Sequence, residues 1–266
     1  MSKVLMLAIC SNHKVESSDI VPYQSTWRVA EFAPGQLADK LYTARRRVRD
    51  LITSDKVARD GKLLRDMPFN SNLMNGPDFE GTDANGSYLP ALQRYDGRFY
   101  RELGNTKERG SRSLRIKHHL LIVSGLYGLL TPTEQIQCYS CHVPDHPDIA
   151  RTWVQKVKTD LLTSLIVAYI NHFGIVRVFD FMAVDAYRNM VSWEMIRHAV
   201  RGNVLHCYSQ QFAGPALLPS LGHLANRLLM APETNLLAIK PHDTGKVPNC
   251  EPTAHVACSS ASASCM

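Results

Sequence analysis

Short, fully apolar runs separated by segments of helical spacing constrain this chain more than any other feature. Val4-Leu5-Met6-Leu7-Ala8-Ile9 is continuous rather than alternating, the pattern of a strand buried on both faces. His119-Leu120-Leu121-Ile122-Val123 reads as another buried strand, Val176-Arg177-Val178-Phe179-Asp180 as a later one, and Asn203 to Tyr208 as a short strand. Apolar positions recur with helical period within Pro34 to Thr53 (Leu37, Leu41, Ala44, Val48, Leu51), Trp153 to Ile170, Asp185 to Val200 and Leu217 to Leu229. A short helix is expected around Pro90 to Leu103. Strand and helix in alternation predict an α/β fold, with one domain over residues 1–240 and a mixed or mostly parallel central sheet flanked by helices.

With 45% hydrophobic and 20% charged residues in 266, the chain can bury a core without disulfides or a structural metal. Residues 241–266, rich in Pro, Ser and Ala, are expected to be a disordered low-complexity tail. Asp66 to Gly86, rich in Asn, Gly, Pro and Asp, is expected to be a long loop. No run reaches the roughly 18 to 20 apolar residues of a membrane span, and Met1 to Ile9 lacks the features of a secretory signal. An odd seven cysteines fit reduced thiols better than a disulfide framework, so a cytoplasmic location without membrane contact is expected. The formal charge of +6 is compatible with a phosphate-bearing partner. The sequence sets no oligomeric state.

The third predicted strand carries a recognisable pattern. Ile122-Val123-Ser124-Gly125-Leu126-Tyr127-Gly128-Leu129-Leu130-Thr131-Pro132, followed by Ile136-Gln137-Cys138-Tyr139, resembles the strand-and-loop signature of the YaaA peroxide-stress family. Pro90-Ala91-Leu92, Tyr95-Asp96-Gly97 and Tyr100 match an upstream segment, and Phe181-Met182-Ala183-Val184-Asp185-Ala186-Tyr187 a downstream one. The likeness is good over about Pro90 to Val191. Cys138 stands in place of the family's proline, Cys141-His142 in place of a Leu-Glu pair, and the family's basic C-terminal segment is absent. The resemblance implies a role in peroxide resistance and in limiting damage from iron. It also implies DNA binding through a positive cleft like that of DNA glycosylases.

Several residues are candidates on their own chemistry. Ser124, Gly125 and Gly128 leave a buried strand, where glycines let backbone amides approach an anion; a tight turn is the rival explanation. Tyr127 and Tyr139 suit stacking on a base or bonding to a sugar, and equally suit a core. Cys10, Ser11 and Lys14 follow the first strand, with Lys14 as a phosphate partner and Cys10 as a second-rank nucleophile. Tyr187 completes the ligand-binding set. Asp180 and Asp185 flank a later strand exit, as general base, ribose-orienting group or helix cap; together with Ser124 they form the catalytic set. Arg45, Arg46 and Arg49 make a basic helix face that suits either nucleic-acid phosphates or solvent. Cys138-Tyr139-Ser140-Cys141-His142 spells a haem-attachment motif, but without export or an assignable fourth ligand neither haem nor metal is assigned.

The expectation is therefore a protein that binds nucleic acid or a nucleotide-like small molecule, with no cofactor. Two rivals stand beside it: an enzyme acting on an N-glycosidic bond, and a non-catalytic module that sequesters a ligand or iron.

Overall fold

The computed structural model describes residues 2–16, 22–24, 27–58, 60–83, 86–105, 107–109, 116–154, 160–208, 216–239 and 255–257. The strands in chain order are β1 (Val4–Ile9), β2 (Leu89–Pro90), β3 (His119–Ser124), β4 (Gly128–Leu130), β5 (Gln135–Ile136), β6 (Arg177–Asp180), β7 (Val204–Tyr208) and β8 (His255–Ala257). Six of them form one sheet in the order β4-β3-β1-β6-β7-β8, while β2 and β5 pair separately. β1 runs parallel to both β3 and β6, and β6 parallel to β7; β4 and β8 close the two edges antiparallel. The sheet is thus mixed and mostly parallel, as expected. Val4 through Ala8 are buried because β1 has a strand on each side and protein above and below, which is why its sequence does not alternate.

The described helices are α1 (Gln36–Ile52), α2 (Ala91–Arg94), α3 (Arg98–Arg101), α4 (Pro147–Trp153), α5 (Leu161–Phe173), α6 (Asp185–Arg188), α7 (Trp193–Ala199), α8 (Leu217–Met230) and α9 (Glu233–Ala238). α1 packs on α4 and α5, α5 on α7, and α3 on α8. Gly222 makes the α3–α8 approach possible, since a Cβ there would stand 2.2 Å from the Phe99 carbonyl oxygen.

Three expected helices are divided. Trp153 ends α4 instead of opening a helix to Ile170, and α5 begins afresh where the Asp160 carboxylate accepts from the Leu162 N–H at 3.1 Å. Asp185 to Val200 is two short helices, the second entered at Ser192, whose hydroxyl faces the Met195 N–H. Pro90 to Leu103 is two single turns separated by Tyr95-Asp96-Gly97. Apolar spacing survives across such breaks, so periodicity alone does not reveal them. The Asp66–Gly86 stretch is a loop built on short 3-10 turns and pinned by buried Asn70, which bonds the Leu64 and Ser140 carbonyls, both at 2.9 Å. The tail predicted to be disordered lies outside the described residues except for His255–Ala257, which instead extends the sheet beyond β7 and satisfies that strand's backbone edge.

The chain leaves β1 to build β3 on one side and later β6 on the other. This reversal of strand order opens a crevice beyond the carboxyl ends of β1, β3 and β6, the usual place for a ligand in such sheets.

Candidate functional site

A cleft of about 260 Å³ occupies that crevice. Cys10, Ser11, Asn12 and His13 enter it from the end of β1, Arg98 and Phe99 from α3, Val184 and Tyr187 from the start of α6, and His142 from the loop after β5. The β1 exit is held in place by backbone pairing: Cys10 N–H donates to the Val123 carbonyl, Val15 N–H to the Arg94 carbonyl, and Asp96 N–H to the His13 carbonyl, each at 2.8 Å. Tyr100 braces it from below by donating to the Ile9 carbonyl at 2.6 Å.

The strand ends do bring the predicted residues together. Cys10 Sγ lies 3.3 Å from the Tyr187 hydroxyl. Lys14 Nζ sits 4.0 Å from the centre of the Tyr139 ring, and the Tyr139 hydroxyl is 2.8 Å from both Ser124 Oγ and the Tyr95 hydroxyl. Tyr127 packs edge-on against Tyr139. Within this assembly only Cys10, Ser11 and Tyr187 line the cleft.

Ser124, Tyr127 and Tyr139 are at most 1% exposed, so they form the floor beneath the site and not its ligand-facing wall. Burial pushes the Tyr95, Tyr127 and Tyr139 phenols well up, which keeps them protonated and able to donate. The glycines are likewise used for packing. Gly128, at φ 71°, has Trp153 so close that a Cβ would stand 2.5 Å from its ring; Gly125 lies against Cys141 and Val143, and its carbonyl accepts from Trp153 Nε1 at 2.7 Å. The anion-holding turn expected there is therefore a packed turn.

The Ser124–Tyr139–Tyr95 chain gives a direct expectation. Tyr139→Phe removes the hydroxyl that joins Ser124 to Tyr95, leaving Ser124 Oγ with the Tyr127 N–H alone, and is expected to cost about 1–2 kcal/mol in urea unfolding. Tyr42→Phe, which removes a hydroxyl lacking a partner among the described residues, should be nearly neutral. Equal losses from the two variants would show that the chain carries no net stabilisation.

Asp180 is 2% exposed and already occupied. Its Oδ1 accepts from the Met182 N–H at 2.8 Å, and its Oδ2 lies 2.6 Å from His206 Nδ1 and 3.2 Å from the Arg188 guanidinium. Both ring nitrogens of His206 face an arginine as well, Arg197 at Nε2 and Arg188 at Nδ1, each at 3.0 Å. Asp180 thus fixes the turn after β6 and is not placed as a general base. Asp185 is exposed in the first turn of α6 and makes no side-chain cap.

Arg45, Arg46 and Arg49 of α1 all have partners within the protein. Arg45 is fully buried: its guanidinium pairs with Glu134 at 2.8 Å and donates to the Tyr127 and Leu129 carbonyls, both at 2.9 Å. Arg46 pairs with Glu80, and Arg49 binds Asp50 and Asn75. Arg45 is thereby removed from any phosphate-binding face, while Arg46 and Arg49 stay at the surface with partners in the 75–80 loop and at Asp50. Helical spacing distinguishes inner from outer positions but says nothing of a carboxylate far along the chain.

Arg98, His13 and His142 enter the cleft without having been singled out as ligand contacts by the sequence. His13 and His142 had visible signals, a polar strand exit and a histidine beside Cys141; Arg98 had none beyond the break at Gly97. Among the described residues no three His, Cys, Asp or Glu side chains converge as a metal site. Cys10, Cys138, Cys141 and Cys207 are free thiols; Cys141 is buried against Gly125, whereas Cys138 opens on a different cavity of about 490 Å³.

No described helix is long and apolar enough to cross a membrane. The comparison with curated proteins gives no match. A family model described as peroxide stress protein YaaA matches residues 56–211, more than half of the chain and the whole stretch from β2 through β7. That span contains the strand-and-turn signature around Ser124 and the floor of the cleft, and the chain accordingly belongs to the YaaA peroxide stress family.

Proposed function

We propose that this peroxide-stress-related protein binds nucleic acid or a nucleotide-like ligand, holding one base-sized unit in the cleft beyond β1, β3 and β6. The observation that carries this reading is the composition of the walls at the point where strand order reverses. Buried Phe99 and Tyr187 give the wall an aromatic lining, Arg98 places a positive charge at an exposed rim, and Ser11, Asn12, His13 and His142 offer hydrogen-bonding groups. The net charge of +6 adds long-range attraction for a polyanion. Among the described residues no carboxylate lines the cleft, which favours binding over carboxylate-assisted cleavage of an N-glycosidic bond.

Anisotropy of a labelled oligonucleotide across a salt series tests the proposal. Affinity should fall as salt rises, and Arg98→Ala should weaken binding and flatten the slope of log K against log salt by about one phosphate contact. Salt-independent binding, or binding unchanged in Arg98→Ala, removes this cleft as the site. Incubation with a nucleoside panel should release no free base; release would instead establish the glycosidic rival.

A further inference from the structure

The carboxyl ends of β6 and β7 carry a cluster with more hydrogen-bond donors than acceptors. Asp180 and His206 are register partners on the two strands, and Arg188 of α6 and Arg197 of α7 close on them. Arg188 Nη2 lies 3.0 Å from His206 Nδ1 and 3.2 Å from Asp180 Oδ2, and Arg197 Nη2 lies 3.0 Å from His206 Nε2. A guanidinium only donates, and a neutral imidazole has one lone pair and one N–H. In either tautomer one arginine therefore meets a ring N–H, and in the imidazolium both do. Charge is unbalanced in the same sense. Among the described residues Asp180 is the one carboxylate paired with either arginine, and its Oδ1 is already taken by the Met182 N–H.

The arginines are held in place and open to solvent on one side. Trp193 Nε1 donates to the Arg188 carbonyl at 3.2 Å, the Arg188 guanidinium stands 5.8 Å from the Trp193 ring centre, and that ring packs edge-on against His206 at 4.8 Å. Each arginine commits only Nη2 to the ring and carboxylate, so Nε and Nη1 of both have no acceptor among the described residues, and Arg197 Nε is buried as well. The Arg188 side chain is 35% exposed, which leaves a way in. Because the two Nη2 atoms touch different nitrogens of one five-membered ring, their separation is bounded by two 3.0 Å contacts and the ring itself. A tetrahedral oxyanion accepting from both sides spans such a gap.

We propose that Arg188 and Arg197 form a phosphate-binding site, for inorganic phosphate or a phosphomonoester, with Asp180 and Trp193 as positioning residues. Bound phosphate supplies the acceptor oxygens and the negative charge that the cluster lacks, and paired guanidinium forks match its geometry. It also gives the arginine that faces a ring N–H a true acceptor. Tyr187, a wall of the cleft, directly precedes Arg188, but neither arginine nor His206 lines that cleft. The site is therefore separate and stands whichever ligand the cleft takes.

Urea unfolding of the full chain across a phosphate series, at ionic strength fixed with potassium chloride, tests the proposal, because a ligand of the native state raises stability with its concentration. Phosphate should raise the wild-type urea midpoint, and Arg197→Gln should weaken the derived affinity at least about tenfold, the usual loss of a hydrogen bond to a charged group. Arg197 is the residue to change, since Arg188 also holds the buried Asp180 carboxylate. Arg47→Gln removes the same charge from the exposed side of α1 and should leave the phosphate effect at its wild-type size. A dinucleotide bearing a terminal phosphate and its unphosphorylated counterpart separate the sources. Stabilisation by inorganic phosphate that is lost in Arg197→Gln assigns the site to the free ion, and such stabilisation by the phosphorylated dinucleotide alone assigns it to a phosphomonoester. An equal midpoint shift in wild type and Arg197→Gln is a general salt effect and overturns the proposal, as does the absence of a shift with every phosphate probe. If Arg197→Gln does not fold, phenylglyoxal modification of wild type with peptide mapping decides. Phosphate should then slow the reaction of Arg188 and Arg197 and leave Arg47 unchanged, and equal rates at Arg188 and Arg197 with and without phosphate overturn the proposal.

Discussion

Arg45→Ala is expected to lower the unfolding free energy by roughly 3–5 kcal/mol, the usual consequence of removing one partner of a buried ion pair. The loss is large because three demands fail together. The Glu134 carboxylate, 1% exposed, keeps among the described residues only the Val29 and Thr131 backbone N–H groups, at 3.2 and 3.4 Å, against a full buried charge. The Tyr127 and Leu129 carbonyls on either side of the β4 turn lose the guanidinium donor. A void also opens between α1 and β4. Urea titration measures the effect, and a cycle with Glu134→Gln separates the pair from the packing. Arg47→Ala, on the exposed side of the same helix, is the control and should change stability by less than about 0.5 kcal/mol. Comparable effects of the two substitutions would mean that the buried pair does not hold the hairpin.

Asp78 should give the protein a stability that declines as pH rises from acid to neutral. Its carboxyl is pushed up from the ordinary range to about 6, because burial outweighs the hydrogen bonds from Tyr127, Gln137 and Tyr88 and the charge of Arg45. Tyr127 donates to Oδ2 at 2.7 Å, Tyr88 to Oδ1 at 3.2 Å, and Gln137 Nε2 to both oxygens at 3.1 Å. Between the unfolded and folded values the native state holds a proton that the unfolded chain has lost, so the native state is favoured there. This contribution is complete below the unfolded carboxylate range and is lost as pH rises through the folded value of about 6, a change of about 3 kcal/mol. Measured as the difference between wild type and Asp78→Asn, the wild-type advantage should shrink by that order between pH 4 and 7.5. Parallel stability curves for the two proteins would show that Asp78 titrates alike in the folded and unfolded states.

Both residues lie in the 45–137 network beneath the YaaA signature, and its interior shows why that signature is easily taken for a binding motif. Tyr127 and Tyr139 are polar enough to touch a ligand and apolar enough for a core; here each phenol finds a buried partner, Asp78 for one and Ser124 with Tyr95 for the other. The surface above is made from the β1 exit, α3 and the β6 exit, and the β1 exit lies outside the span matched by the family model. The signature thus describes the platform, while the cleft above it is walled by segments around it.

The amino-acid order was sufficient for what depends on near neighbours. The β1, β3, β6 and β7 strands, the long helices α1 and α8, and the gathering of Cys10, Lys14, Ser124, Tyr139 and Tyr187 at one end of the sheet all follow from runs, periods and a parallel topology. Partnerships between distant residues were beyond it. That Arg45 would meet Glu134, that Asp180 would meet His206, or that Arg98 and not Tyr127 would face the cleft is decided by register, by helix breaks and by which side of β1 the later strands join. Side-chain type limits what a residue is able to bind, but only tertiary packing determines whether water, another side chain or a ligand occupies the space in front of it.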